Sequence, residues 1–138
     1  MIILDTNILS EILRPSPAPQ VEEWLARQDG NSVFFTAIGE AELRYGQAML
    51  PIGKRRNALE AAINGIMDDD FRDRILPFDR DAARAYSLIA AERRAAGRPM
   101  SQFDCQIAAI TRVHGAILAT RNTKDFEGCG IVVFDPWQ

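Results

Sequence analysis

The stretch MIILDTNILSE, residues 1–11, sets three apolar side chains, Ile2, Ile3 and Leu4, directly against three polar ones, Asp5, Thr6 and Asn7. A short aliphatic run reads as a buried strand. The polar residues at its end therefore cap the helix that follows, over 8–13, or form a site. Four further runs of strand length occur: VFF at 33–35, ILPF at 75–78, AILA at 116–119 and IVVF at 131–134. Helical spacing fills the intervals, over 21–27, 36–50, 56–67, 79–96 and 103–113. Such alternation predicts an α/β fold whose central, mostly parallel sheet of about five short strands is covered by helices on both faces. Pro15, Pro17 and Pro19 separate the first helix from the second, and Gly97 with Pro99 ends the long one.

With 138 residues, 47% of them hydrophobic, the chain is sized for a single domain over 1–138. No segment approaches a membrane span and no secretory leader is recognisable, which predicts a soluble, cytoplasmic protein without a membrane partner. Two cysteines outside any CxxC spacing give no support to a thiolate zinc site or a disulfide framework, and a single histidine excludes a His-rich metal centre. A net charge of −3 argues against a broad nucleic-acid-coating surface. The local basic clusters, Lys54-Arg55-Arg56 and Arg93-Arg94 near Arg98, read first as solvated helix faces, and Asp68-Asp69-Asp70 as a solvated turn. Trp24 and Trp137 read as core or interface residues, and His114 as a solvated or carbonyl-capping residue.

In a parallel sheet the ligand crevice lies at the carboxyl ends of the strands. Asp5, Thr36 and Thr120-Arg121-Asn122 follow three of the apolar runs and should share that edge. Glu42 adds a carboxylate: Ile38, Ala41, Tyr45 and Met49 mark one helical stripe, and Glu42 lies within it, pointing inward. An ionised carboxylate so placed costs several kcal/mol unless it is paired or bound to a metal. Asp104 opens another helix, where Ser101-x-x-Asp104 also fits a capping box; Asn122-x-x-Asp125 and Asp5 fit caps as well. If Asp5, Glu42 and Asp104 converge, two carboxylates 4 Å apart repel by about 4 kcal/mol at an effective dielectric near 20. Such an oxygen-only cluster suits Mg²⁺, or Mn²⁺, and hence phosphodiester hydrolysis.

LDTNILSE at the start, TAIGEAELRYG around Glu42, ILPFD at 75–79, MSQFDCQIAA around Asp104, LATRNTKDF at 118–126 and the terminal VVFDPW together resemble the PIN-domain nucleases, and within them the VapC and FitB-like toxins of toxin–antitoxin pairs. The resemblance covers nearly the whole chain. It implies a PIN-like three-layer fold, usually dimeric, and a Mg²⁺-dependent ribonuclease site. Asp5 and Asp104 match the principal metal ligands, and Glu42 a ligand or a carboxylate that orients the attacking water. Asn122 stands where several relatives carry a fourth catalytic aspartate, so a second metal would be held more weakly; Asp125 is a candidate substitute. Thr6, Asn7 and Thr120 are expected to orient the carboxylates. The implied partners are an RNA substrate, a VapB-like antitoxin in a homodimer or hetero-oligomer, and operator DNA reached only through the antitoxin.

Two other readings compete. A phosphatase of the haloacid-dehalogenase kind also begins with a strand and an aspartate, but needs a second acid where this chain has Asn7. A catalytically weak PIN scaffold, serving chiefly as an antitoxin's partner in a DNA-binding regulatory complex, would explain the missing charge at Asn122.

Overall fold

A computed structural model describes residues 1–138. Five strands form one sheet: β1 (Ile2–Leu4), β2 (Val33–Thr36), β3 (Ile75–Leu76), β4 (Ile117–Ala119) and β5 (Val132–Phe134). Their spatial order is β3-β2-β1-β4-β5 and every pairing is parallel. Six helices connect them: α1 (Thr6–Ile12), α2 (Pro19–Ala26), α3 (Ala37–Ala48), α4 (Lys54–Gly65), α5 (Arg80–Ala95) and α6 (Gln102–Val113). The expected α/β architecture is thus realised, with a wholly parallel sheet. No helix is long and apolar enough to cross a membrane.

Alternation along the strands builds the layers. Ile3 pairs with Leu118 and both face one core, with Ile89 of α5 and Ile107 and Ile110 of α6. Leu4 and Ala119 pair one step on and face the other, with Ile8, Leu9, Val21, Leu43 and Ile63 from the helices α1 to α4. Because successive side chains point to opposite faces of a sheet, one three-residue strand feeds both cores.

Local chemistry sets the element ends. Asp5, Thr36, Asp79 and Ser101 each accept a backbone N–H at the start of a helix. At the other end of α5, Gly97 takes a left-handed φ of 72°. The Arg98 N–H then reaches back to the Arg93 carbonyl at 2.8 Å, and the Gly97 N–H to that of Arg94 at 3.0 Å. Gly115, with φ 60°, closes α6 in the same way and turns the chain into β4. His114 is the residue at that C-terminus, as its position in the sequence suggests.

Three expectations change. The stripe Ile38, Ala41, Tyr45 and Met49 is not the buried face of α3: Tyr45 and Met49 are 68% and 66% exposed, and Gly39, Leu43 and Gln47 are buried instead. Gly39 lets the helix lie directly on the Phe35 ring, where a Cβ would sit 2.5 Å from Cζ, and the buried set Gly39, Leu43 and Gln47 stands two positions from Ala41, Tyr45 and Met49. Arg93, read as solvated, is buried and spends its guanidinium on the carbonyls of Arg98 and Glu127. Asn122 occupies the capping position of the short 3₁₀ turn Thr123–Phe126, but its side chain makes no capping bond.

Candidate functional site

Strand order runs outward in both directions from β1, so the connections diverge between β1 and β4. This is the switch point at which open α/β sheets form their crevice. The last ladder bond there joins the Asp5 N–H to the Ala119 carbonyl at 2.8 Å. Register therefore delivers Asp5 and Thr120 side by side.

Asp5 is nearly all buried, at 5% exposure, and is held at both oxygens. Oδ1 accepts the Thr6 N–H at 2.8 Å; Oδ2 accepts the Thr120 hydroxyl at 2.7 Å and the Asn7 amide at 3.3 Å. Thr120 Oγ1 also accepts from Asn7 Nδ2 at 3.1 Å and from the Asn122 N–H at 3.1 Å. A hydroxyl carries one proton and two lone pairs. With both lone pairs facing donors, the Thr120 proton has only Asp5 to point at, and Asp5 is fixed as an acceptor. Asn7 completes the frame, since its Oδ1 takes the Arg121 N–H at 3.4 Å.

Glu42 stands half-buried on α3, on the margin of the packed face rather than inside it. Its Oε1 accepts the Thr6 hydroxyl at 2.7 Å, so α1 orients both its own capping acid and the acid of a different helix. Asp104 lies in the first turn of α6, half-buried. Ser101 Oγ accepts the Asp104 N–H at 3.2 Å, which is the helix-capping half of the sequence reading, and the Ser101 side chain also acts on the Asp104 carboxylate. Asn122 and Asp125 are exposed at the rim, and Asp125 lies within electrostatic reach of Asp104.

The charges remain unbalanced. Four ion pairs exist, Arg14–Glu11, Arg44–Glu40, Arg84–Asp81 and Arg98–Glu127, and none includes Asp5, Glu42 or Asp104. Burial pushes the Asp5 carboxyl up to about 6, against the hydrogen bonds from Thr120 and Thr6, and the charges of Asp104 and Glu42 add to the rise. Burial likewise raises Glu42, opposed by the Thr6 bond and assisted by Asp104. Asp104 is raised by burial and by Asp125, and lowered by Ser101 and Arg93. These are carboxylates in need of a counterion.

The donor set fits a hard divalent cation: it is oxygen only, with no thiol or imidazole among the three acids. It is not a closed cage, because no three acidic, cysteine or histidine side chains lie near enough together to hold a metal ion. Asp5 is rigid, and Glu42 and Asp104 lie within electrostatic reach of it, so a cation held by fewer than three of them would keep coordination positions open to water and substrate oxygens. That openness suits Mg²⁺, which usually retains several waters.

Sequence reasoning missed two residues here. Arg93 is the positive charge nearest in effect to Asp104; it continues the buried stripe of Ala82 and Ile89 on α5, a spacing that could have marked it. Arg121 was noted only for its position after β4. Its guanidinium rests on the Trp137 indole, 5.1 Å from the ring centroid, beyond the carboxyl end of β5.

A wholly parallel five-stranded sheet with an acidic arc at its switch point is the frame of a PIN domain. The chain belongs to the PIN-domain family, whose model matches residues 2–128. Within it, the chain is 38% identical over 138 residues to VapC ribonuclease Y4jK of Sinorhizobium fredii, covering 100% of this chain and 99% of that relative. It is 39% identical to toxin FitB of Neisseria gonorrhoeae, over 99% of both chains. The structure of FitAB bound to an IR36 DNA fragment matches with a TM-score of 0.94 at 38% identity, covering 100% of this chain and 96% of that one.

Proposed function

We propose that this chain is a Mg²⁺-dependent endoribonuclease and the toxin of a toxin–antitoxin pair. The observation that carries the reading is the uncompensated trio: Asp5 fixed at the switch point, with Glu42 and Asp104 in electrostatic contact and no cation paired to any of them. In this reading Asp5 and Asp104 hold the metal, and Glu42 either joins them or orients the water that attacks. Bound there, Mg²⁺, or Mn²⁺ in its place, supplies charge stabilisation at phosphorus and eases ionisation of the attacking water. The chain's own residues do the positioning: Thr120 and Asn7 lock Asp5, and Thr6 aims Glu42. Asn122 offers a neutral carbonyl at the rim, with Asp125 adding charge beside Asp104.

The names of the relatives support the nuclease class and the toxin role. An antitoxin partner fits the open groove of about 560 Å³ between α1, α3 and α4, whose lining combines Leu13, Leu43 and Leu59 with the Arg14 and Arg55 cations and includes Glu42. A segment seated there would end against the site. DNA would be reached through that partner, in keeping with the toxin's own net charge of −3.

Purified protein incubated with RNA tests the reading. Cleavage should require Mg²⁺ or Mn²⁺, stop with EDTA, and fall at least ~100-fold in Asp5→Asn. Wild-type activity in Asp5→Asn, or cleavage indifferent to EDTA, would overturn it.

A further inference from the structure

The arc that would bind a polyanion is itself negative, so the reading above leaves a question of where the flanking RNA phosphates are held. The cations around the carboxyl edge of the sheet differ in how they are engaged. Arg14 is paired with Glu11, Arg98 with Glu127, and Arg93 is buried on carbonyls. Arg121 and Lys124 are exposed and outside every ion pair; Arg121 acts on Glu11 only at longer range, and it directly follows Thr120, the residue bonded to Asp5.

Its placement is not left to chance. Asn7 Oδ1 accepts the Arg121 N–H, joining its backbone to the same amide that braces Asp5. Its guanidinium lies over Trp137, whose backbone N–H donates to Asp135 Oδ1 at 2.8 Å. Trp137 packs its half-buried ring against the core on the side of α1 and α2. Stacking on an indole face restrains a guanidinium without consuming its N–H donors. A planar fork whose donors make no hydrogen bond within the chain, resting on an indole at the rim of an acidic site, has the chemistry to receive a phosphate. The edge then reads in order: Glu42 after β2, Asp5 after β1, Arg121 after β4, Trp137 after β5. With strands about 4.8 Å apart, β5 lies roughly 10 Å from β1, so a strand of RNA crossing Asp5 passes over Arg121.

We infer that Arg121, seated on Trp137, is the clamp for an RNA phosphate adjacent to the scissile one, with Trp137 as its positioning residue. The inference rests on the nuclease reading and adds a binding contact to it. Arg121 touches no reacting atom, so it acts on affinity rather than on the chemical step.

The experiment measures binding of a fluorescently labelled single-stranded oligoribonucleotide to Asp5→Asn protein across a salt series, with and without Arg121→Ala, Arg121→Lys or Trp137→Leu. Cleavage kinetics are measured in the otherwise wild-type chain. Arg121→Ala should weaken binding roughly tenfold and reduce the slope of log affinity against log salt by about 0.7, the signature of one lost phosphate contact on a single strand. Arg121→Lys should restore the slope but only part of the affinity, since an ammonium keeps the charge and loses the fork. Trp137→Leu should weaken binding with the slope intact, because the charge remains. In cleavage, Arg121→Ala should raise KM and leave kcat unchanged. An unchanged slope or an unchanged KM in Arg121→Ala overturns the clamp while cleavage by the wild type keeps the nuclease standing. Absence of both RNA binding and cleavage in every variant and the wild type overturns both. Should Trp137→Leu fail to fold, Arg121→Ala and Arg121→Lys decide the matter.

Discussion

The Thr6 hydroxyl donates to Glu42 Oε1 at 2.7 Å across 36 residues of chain, while the Thr6 N–H donates to Asp5 Oδ1 at 2.8 Å. One residue thus sets the spacing of two acids carried by different helices. Thr6→Ala removes the hydroxyl and leaves the backbone bond, so Asp5 stays in place and Glu42 is released. Loss of such a support typically costs 10–100-fold in activity or metal affinity. Thr6→Ala should lose RNA cleavage in that range with thermal stability nearly unchanged, and Thr6→Ser should retain it. Full activity in Thr6→Ala would mean that the orientation of Glu42 does not matter to the reaction.

The burial of Asp5 makes stability depend on pH. Its ordinary value is 3.8 and burial lifts it to about 6 in the fold. The folded state therefore binds the proton more tightly than the unfolded chain, and stability falls as pH rises through that window, remaining lower above it. Two units correspond to about 3 kcal/mol. Glu42 and Asp104, also raised, act with the same sign. Glu11 acts oppositely: the Ala18 N–H holds its carboxyl below the usual range, so its contribution disappears as pH falls. Denaturant unfolding in EDTA should show metal-free protein losing stability between about pH 4 and 6, with the loss much reduced in Asp5→Asn. Adding Mg²⁺ at pH 7.5 should restore stability to the wild type. Parallel pH profiles for the two proteins would contradict the assignment.

Gly39 permits a close approach that any side chain would obstruct. A Cβ there would meet Phe35 Cζ at 2.5 Å and Cε1 at 2.8 Å, and Phe35 is fully buried. Ordinarily Ala is the better helix former by up to about 1 kcal/mol. Here overpacking should dominate, at about 1–3 kcal/mol. Gly39→Ala is expected to lower the denaturation midpoint, whereas Gly46→Ala, on the exposed side of the same helix with open space around it, should hold or raise it. Equal midpoints for the two variants would show that α3 can shift off Phe35 at little cost.

That contact also explains what could be read from the letters alone. Strand runs, caps and the break at Gly97 follow from local chemistry, and the helices lie within a few residues of their expected spans. Asp5 beside Thr120 follows from parallel register once strand order is known, and the switch-point rule supplied the edge. The inward face of α3 did not follow, because hydrophobicity favoured Tyr45 and Met49 while packing was decided by the smallest residue available, Gly39. Glu42 reaches the site all the same, through Thr6 rather than through that stripe. Arg93 reads as solvated because the backbone carbonyls of Arg98 and Glu127 that accept its donors are not displayed by the sequence, although its spacing from Ala82 and Ile89 points to burial.

Asn122 and Asp125 decide how much negative charge the rim contributes. The Asn122 side chain is exposed and makes no capping bond, and only its backbone is tied to Thr120. Asn122→Asp therefore adds a charge without breaking a contact. A carboxylate added at the rim of a divalent-ion site in nearly aqueous surroundings contributes on the order of 1 kcal/mol, or roughly fivefold in affinity. Mn²⁺ titration by calorimetry at low ionic strength should show tighter binding in Asn122→Asp by that factor. Asp125 already raises Asp104, so it lies close enough to act on the same ion. Asp125→Asn should weaken Mn²⁺ by a similar factor, and both effects should shrink with added salt, as exposed charges are screened. If Asp125→Asn binds Mn²⁺ as tightly as the wild type while Asn122→Asp binds it more tightly, Asp125 is a solvated turn residue. The missing fourth acid would then be without a substitute in this chain.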